Sequence, residues 1–299
     1  MEAAFRWPNE RRCAFSLTFD VDGETTAFAL DREHAATRLT LMSEYQYEGH
    51  VAVPRILELL ELYEVRATFF WPGRTVELHP DNVRAIVARA HELGHHGYMH
   101  ERSVGLSDAD EQRIVSKGLE AFELFAHRRP NGYRSPSWDL KRTSPELLLR
   151  NGFAFDSSLM GNDVPYWIET PVGRLLELPV HWRHEDWPLF GFVSPPRAGS
   201  NGMATPSAAF EIFAEEFEGI YDRGALFTLT LHPSVIGRPG GLRVLERMLR
   251  FVRGFPRVWW ATLGEISDYC STTEVACTLA VQSTEMPTAN WLVPSSQPG

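Results

Sequence analysis

Short apolar runs at 15–19, 67–71, 152–155, 175–179, 226–231 and 258–261 alternate with longer segments whose apolar positions recur at helical spacing. The helical segments are 52–63, 82–93, 108–125, 144–151, 207–223 and 241–253. That rhythm predicts an α/β protein with a mostly parallel sheet and crossover helices, able to close into a barrel. Ser107-Asp108-Ala109-Asp110-Glu111 and Thr143-Ser144-Pro145-Glu146 carry capping and first-turn chemistry at two helix starts. His91-Glu92-Leu93-Gly94 reads as a helix end with a glycine cap, where a histidine complements the helix dipole.

The stretch 181–205 is rich in Pro, Gly and aromatic residues and reads as a long loop covering a site. Its polar cluster, His181, His184, Glu185 and Asp186, is expected to be a solvated loop, with a second metal site as the alternative. Beyond about residue 272 periodicity is lost, so residues 1–271 are expected to form one catalytic domain and 272–299 a partly irregular arm.

Composition narrows the partners. With 299 residues and 43% hydrophobic content, the chain can bury the core of one large domain or two small ones. A net charge of −10 argues against nucleic acid and anionic membranes, which need clustered Lys and Arg. Cys13, Cys270 and Cys277 have no short repeated spacing, so they predict neither a disulfide framework nor a cysteine zinc site. Residues 1–12 lack the apolar core of a secretory signal, and no apolar run reaches the roughly 18 residues of a membrane span. A cytoplasmic protein is expected.

The chemistry concentrates at two places. Thr18-Phe19-Asp20-Val21-Asp22-Gly23-Glu24 ends an apolar run with two carboxylates that alternation sends to one face. His96-Gly97-Tyr98-Met99-His100 offers two imidazoles that would meet on one side of a helical turn. Two His and one Asp form a ligand set that leaves coordination positions open for water and substrate, as a catalytic divalent metal requires. The other aspartate is then free to handle a proton. His95, next to His96, would point away and is read as structural.

These residues, with Arg134-Ser135-Pro136, Thr230-Leu231-His232-Pro233 and more loosely Phe155-Asp156-Ser157-Ser158, resemble the polysaccharide deacetylase, or NodB-homology, family of metal-dependent hydrolases. The spaced Asp-x-Asp resembles a branch containing cyclic imide hydrolases, metal-free allantoinase-like proteins and some peptidoglycan deacetylases. The usual small hydroxyl residue after the first histidine is Gly97 here. The resemblance implies a distorted (β/α) barrel of about seven strands with the site at the strands' C-terminal ends. It implies that Asp22, His96 and His100 bind a divalent metal, Zn²⁺ foremost, with Asp20 as general base, Arg134 orienting it and His232 as general acid. Trp138 takes a groove-wall position, and Glu24 either contacts substrate or caps a turn. Trp167, Trp182 and Trp187 fit a groove lining or the core. Members of the branch often assemble into tetramers, so a homo-oligomer is expected.

The expected reaction is hydrolysis of a carbon–nitrogen bond other than a peptide bond. N-acetylated sugars are the family's substrates. A small cyclic imide or related amide is the alternative, and a catalytically silent binding protein on the same fold is the reading from another class.

Overall fold

The first strand shows how the interior is built. In the computed structural model, which describes residues 5–193, 199–200 and 203–273, β1 (Cys13–Asp20) is buried at every position. Phe15, Leu17 and Phe19 join the apolar core, together with Ile56 and Leu57 and with Phe217 and Leu245 from later helices. On the opposite face Thr18 donates to Thr230 Oγ1 at 3.1 Å, so the inner layer is polar and leads up to Asp20. Period-two alternation thus divides one fully buried strand between core and site.

The other strands are β2 (Thr68–Trp71), β3 (Glu92–His95), β4 (Gly132–Tyr133), β5 (Phe155–Asp156), β6 (Tyr166–Thr170), β7 (Gly173–Glu177), β8 (Phe192–Val193), β9 (Gly199–Ser200), β10 (Leu226–Leu231) and β11 (Val258–Trp260). The main sheet runs β10-β1-β2-β3-β4-β5-β7-β6, with β11 also paired to β1. All of its pairings are parallel except β6 with β7. β8 and β9 form a separate antiparallel pair. The two ends of the main sheet meet: Leu226 N–H donates to Asp163 O at 2.9 Å, and Glu185 bridges to Thr230 of β10. The barrel is therefore present, with its seam spanned by the segments before β6 and after β7 instead of a continuous ladder.

Most expected helices lie within a residue or two of their observed bounds, among them Val53–Leu62, Asp108–Ala126, Ser144–Arg150, Pro206–Arg223 and Pro239–Arg253. One reading is overturned. The helix expected over 82–93 is Pro80–Ala88, and His91-Glu92-Leu93-Gly94 is not its capped end, because Glu92–His95 forms β3. Ala90, at φ 57°, turns the chain. Gly94 pairs with Phe70 and lacks the Cβ that would lie 2.3 Å from that ring. His91 accepts a hydrogen bond from Ala67 N–H at 3.2 Å, and burial pushes its imidazole down to about 4, so it is a neutral core group. Ser107 caps its helix by accepting from Asp110 N–H, whereas Thr143 donates its hydroxyl to Asp108 instead of capping. Of the arm expected over 272–299, all beyond residue 273 lies outside the described residues.

Gly118, within the helix Asp108–Ala126, lets that helix press on the loop after β3. An added Cβ would lie 2.2 Å from His95 Nε2 and 3.0 Å from Gly97 O. Gly118→Ala gains about 1 kcal/mol of helix propensity, but overpacking costs roughly 1–3 kcal/mol. A net loss of about 1 kcal/mol is expected in urea denaturation. Unchanged or raised stability would show that this contact yields freely.

Candidate active site

Asp20 ends β1, and the chain then turns sharply. Thr25 and Thr75 both donate to Asp22 O at 2.6 Å, pinning the backbone from two sides. Gly23 follows at φ 55°, where a Cβ would stand 2.8 Å from Thr75 Cγ2. Its N–H donates to Glu48 Oε1 at 2.7 Å, and the other Glu48 oxygen accepts from Ser234 N–H at 3.0 Å. Glu48 thereby ties the loop after β1 to the loop after β10. Burial, and then the charge of Asp22, push its carboxyl up to about 8.

His96 follows β3 directly, and its Nδ1 lies 2.8 Å from Arg134 O. That bond turns Nε2 towards Asp22, at 3.4 Å from Oδ1. His100 Nε2 lies 3.3 Å from Asp22 Oδ2. The two imidazoles do not meet on a helical turn as expected. They are joined by a loop, with Gly97 at φ 75° and His100 at φ 59°, that Glu101 closes by accepting from Tyr98 and Met99 N–H. Ligand atoms of Asp22, His96 and His100 all fall within 4.8 Å of one another, a grouping that no other residues form among those described. Burial opposes the Asp22 charge, but His100, His96 and His232 outweigh it and hold the carboxyl well below the usual range. Asp22 Oδ1 is buried with no hydrogen-bond partner among the described residues. A buried carboxylate whose two oxygens each face one imidazole Nε2, with Oδ1 left without a hydrogen bond, fits a cation.

Arg134 is completely buried beneath this cluster. Its guanidinium donates to Asp20 Oδ1 at 2.7 Å and Thr18 Oγ1 at 2.9 Å, and to Ser157 O and Oγ, both at 2.9 Å. Four bonds fix its plane, so Asp20 has one oxygen held and the other left over.

His232, at the end of β10, is gripped by Asp186, which accepts from His232 Nδ1 at 2.8 Å and from its backbone N–H at 3.0 Å. Burial alone would lower this imidazole. The bond to Asp186 and its charge, then Glu185 and Asp22, raise it well above the ordinary histidine value. The solvated loop expected around His184, Glu185 and Asp186 is thus a correction: all three are buried, at the barrel seam. Asp186, Glu185 and Glu48 are the functional candidates that sequence reasoning missed. The local cluster was a usable signal for the first two, and Glu48 had none.

Trp138 is buried and stacks on half-exposed Trp182, with ring centroids 4.4 Å apart. Trp187 lies 5.6 Å from the His232 ring, and Trp167 on β6 packs against Arg174 of β7. Glu24 lies 3.0 Å from His79 Nε2. His95 is structural as expected, sitting 3.1 Å from Val115 O.

Similarity in sequence gives this geometry its class, the hydrolases of carbon–nitrogen bonds other than peptide bonds. The polysaccharide deacetylase family model matches residues 14–155, and the chain is a member of that family. The family is in general divalent-metal dependent. The chain is 30% identical to a Helicobacter pylori peptidoglycan deacetylase, over 74% of this chain and 84% of the relative. A candidate polysaccharide deacetylase from Mycobacterium smegmatis superposes with a TM-score of 0.89 at 37% identity, covering 94% of this chain and 97% of that one. A Puue allantoinase shares the fold, with a TM-score of 0.79 at 23% identity over 90% of this chain and 93% of its own. No helix among the described residues is long and apolar enough to cross a membrane.

Proposed function

We propose that the chain removes acetyl groups from N-acetylated sugars. In this reading Asp22, His96 and His100 hold a divalent metal, Asp20 is the general base, Arg134 positions it, and His232 is the general acid. The observation that carries it is the buried Asp22 carboxylate, whose Oδ1 and Oδ2 face the Nε2 atoms of His96 and His100 at 3.4 and 3.3 Å. Mixed Asp and His donors suit Zn²⁺ first, with Co²⁺, Mn²⁺ and Ni²⁺ as alternatives. When bound, such an ion polarises the amide carbonyl and makes a water acidic enough to attack near neutral pH.

The chain's own groups account for the proton traffic. Arg134 engages Asp20 Oδ1, which leaves Oδ2 to accept the water's proton. His232, charged at neutral pH and held at Nδ1, directs Nε2–H at the departing nitrogen. That proton matters because an amine anion is a poor leaving group. The exposed face of Trp182, backed by Trp138, offers the flat apolar platform that a sugar ring stacks on. This platform, with the H. pylori relative, favours the sugar over the cyclic imide. We place the protein in the cytoplasm, where the buried, unpaired thiols of Cys13 and Cys270 would stay reduced.

Zn²⁺-loaded protein is expected to release acetate from N-acetylglucosamine oligomers, followed by enzymatic acetate determination, and to leave succinimide intact. Ring opening of succinimide alone would replace the sugar reading with the imide one. Oligomer binding without turnover would favour the silent binding protein.

A further inference from the structure

We propose that Glu185 accepts a hydrogen bond from the N–H of the scissile amide, turning the nitrogen's lone pair towards His232. This deepens the deacetylase reading of the site and rests on it.

Glu185 and Asp186 are adjacent carboxylates delivered together by the segment that spans the barrel seam. Asp186 is consumed by the protein: it holds both His232 Nδ1 and His232 N–H. Glu185 is not. It is buried, its Oε2 has no hydrogen-bond partner among the described residues, and its Oε1 stands 3.8 Å from His232 Nε2. That separation is too long for a hydrogen bond. It is the base of a triangle whose apex, about 2.9 Å from both atoms, would hold one polar atom of a ligand in contact with each. It is this spacing of Oε1 and His232 Nε2, on a carboxyl that the protein does not use to hold His232, that leaves room for a ligand's N–H.

An amide nitrogen becoming tetrahedral meets both demands. Its lone pair accepts from His232 Nε2–H, and its own N–H donates to Glu185 Oε1. When the C–N bond breaks, its electron pair stays on nitrogen, which takes the His232 proton. The original N–H hydrogen remains on nitrogen against Glu185. Meanwhile the water oxygen bonds to the acyl carbon and a water proton passes to Asp20. The groups acting electrically on Glu185 are His232, Asp186, Asp20 and Arg134, and burial is the strongest influence, pushing its carboxyl up to about 8. A neutral carboxyl still offers a carbonyl oxygen as acceptor to the incoming N–H. Glutamine at this position would keep the same acceptor.

The test compares an N-acetylglucosamine oligomer with an aryl acetate, whose leaving oxygen carries no hydrogen. For Glu185→Ala, kcat/KM on the oligomer is expected to fall roughly 10- to 100-fold. For Glu185→Gln it should stay within about threefold, and both variants should keep aryl acetate hydrolysis within about twofold. Equal losses on amide and ester, or a Gln variant as impaired as the Ala one, would overturn the proposal. A second measurement needs no variant: the wild-type protein should reject an N-methyl-N-acetyl sugar by roughly 10-fold or more, and equal turnover of that analogue would also overturn it. If the wild type releases no acetate from the oligomer, the deacetylase reading itself fails. Glu185 is then judged by calorimetric affinity for the oligomer, where weakening in Glu185→Ala supports the contact and no change rejects it.

Discussion

Asp22→Ala is expected to lower kcat/KM for acetate release by about a thousandfold or more, the scale of losing several kcal/mol of electrophilic stabilisation. The carboxylate supplies the negative charge of the cluster, and both imidazole Nε2 atoms point at it. Without it, two neutral imidazoles remain, and metal affinity should fall far enough for equilibrium dialysis to recover little Zn²⁺ with the variant. Chelation of the wild-type protein should give the same loss, reversed by adding the metal back, whereas the variant should not respond. Undiminished turnover in chelated, metal-free protein would reject the metal reading.

The second large effect concerns Asp186→Asn, which should reduce kcat at neutral pH by about a hundredfold or more while leaving KM little changed. The sign follows from the environment of His232. Burial disfavours the imidazolium, and it persists because Asp186 accepts from Nδ1 at 2.8 Å and brings a negative charge. The proton donor is therefore present below its raised pKa and lost as pH climbs through it, which sets the alkaline limb of the rate profile. Removing the charge leaves burial unopposed by its strongest counterweight, so the limb should move to lower pH by roughly one to three units. An alkaline limb that stays in place in the variant would show that His232 is not the donor.

The residues that defined the site in the sequence were those whose chemistry is tied to short spacing. Asp20 and Asp22 stand at the end of a long strand whose alternation is complete, and β10 likewise matches its predicted span at 226–231. Local pattern was enough there because eight buried residues in β1 and six in β10 repeat the same in-and-out rule. It failed where elements are too short to have a period. β4 and β5 contribute two residues each and exist only because they are paired on both sides. β3 was absorbed into a helix because Glu92-Leu93-Gly94-His95 carries no alternation of its own and owes its form to β2 and β4.

By itself, then, the chain's sequence determined the α/β class and the long helices and strands, and it singled out Asp20, Asp22, His96 and His100 by spacing and Arg134 and His232 by resemblance. Only the tertiary structure decided how that set is aimed. The Arg134 carbonyl orients His96, the Arg134 side chain holds Asp20, and a segment crossing the seam turns Glu185 and Asp186 from an apparent surface cluster into buried neighbours of His232, with Asp186 bonded to it. The reason is that periodicity is a property of neighbours in sequence. Burial, hydrogen-bond partnership and the proton affinity of a side chain depend on groups tens to hundreds of residues away, which meet only when the sheet closes.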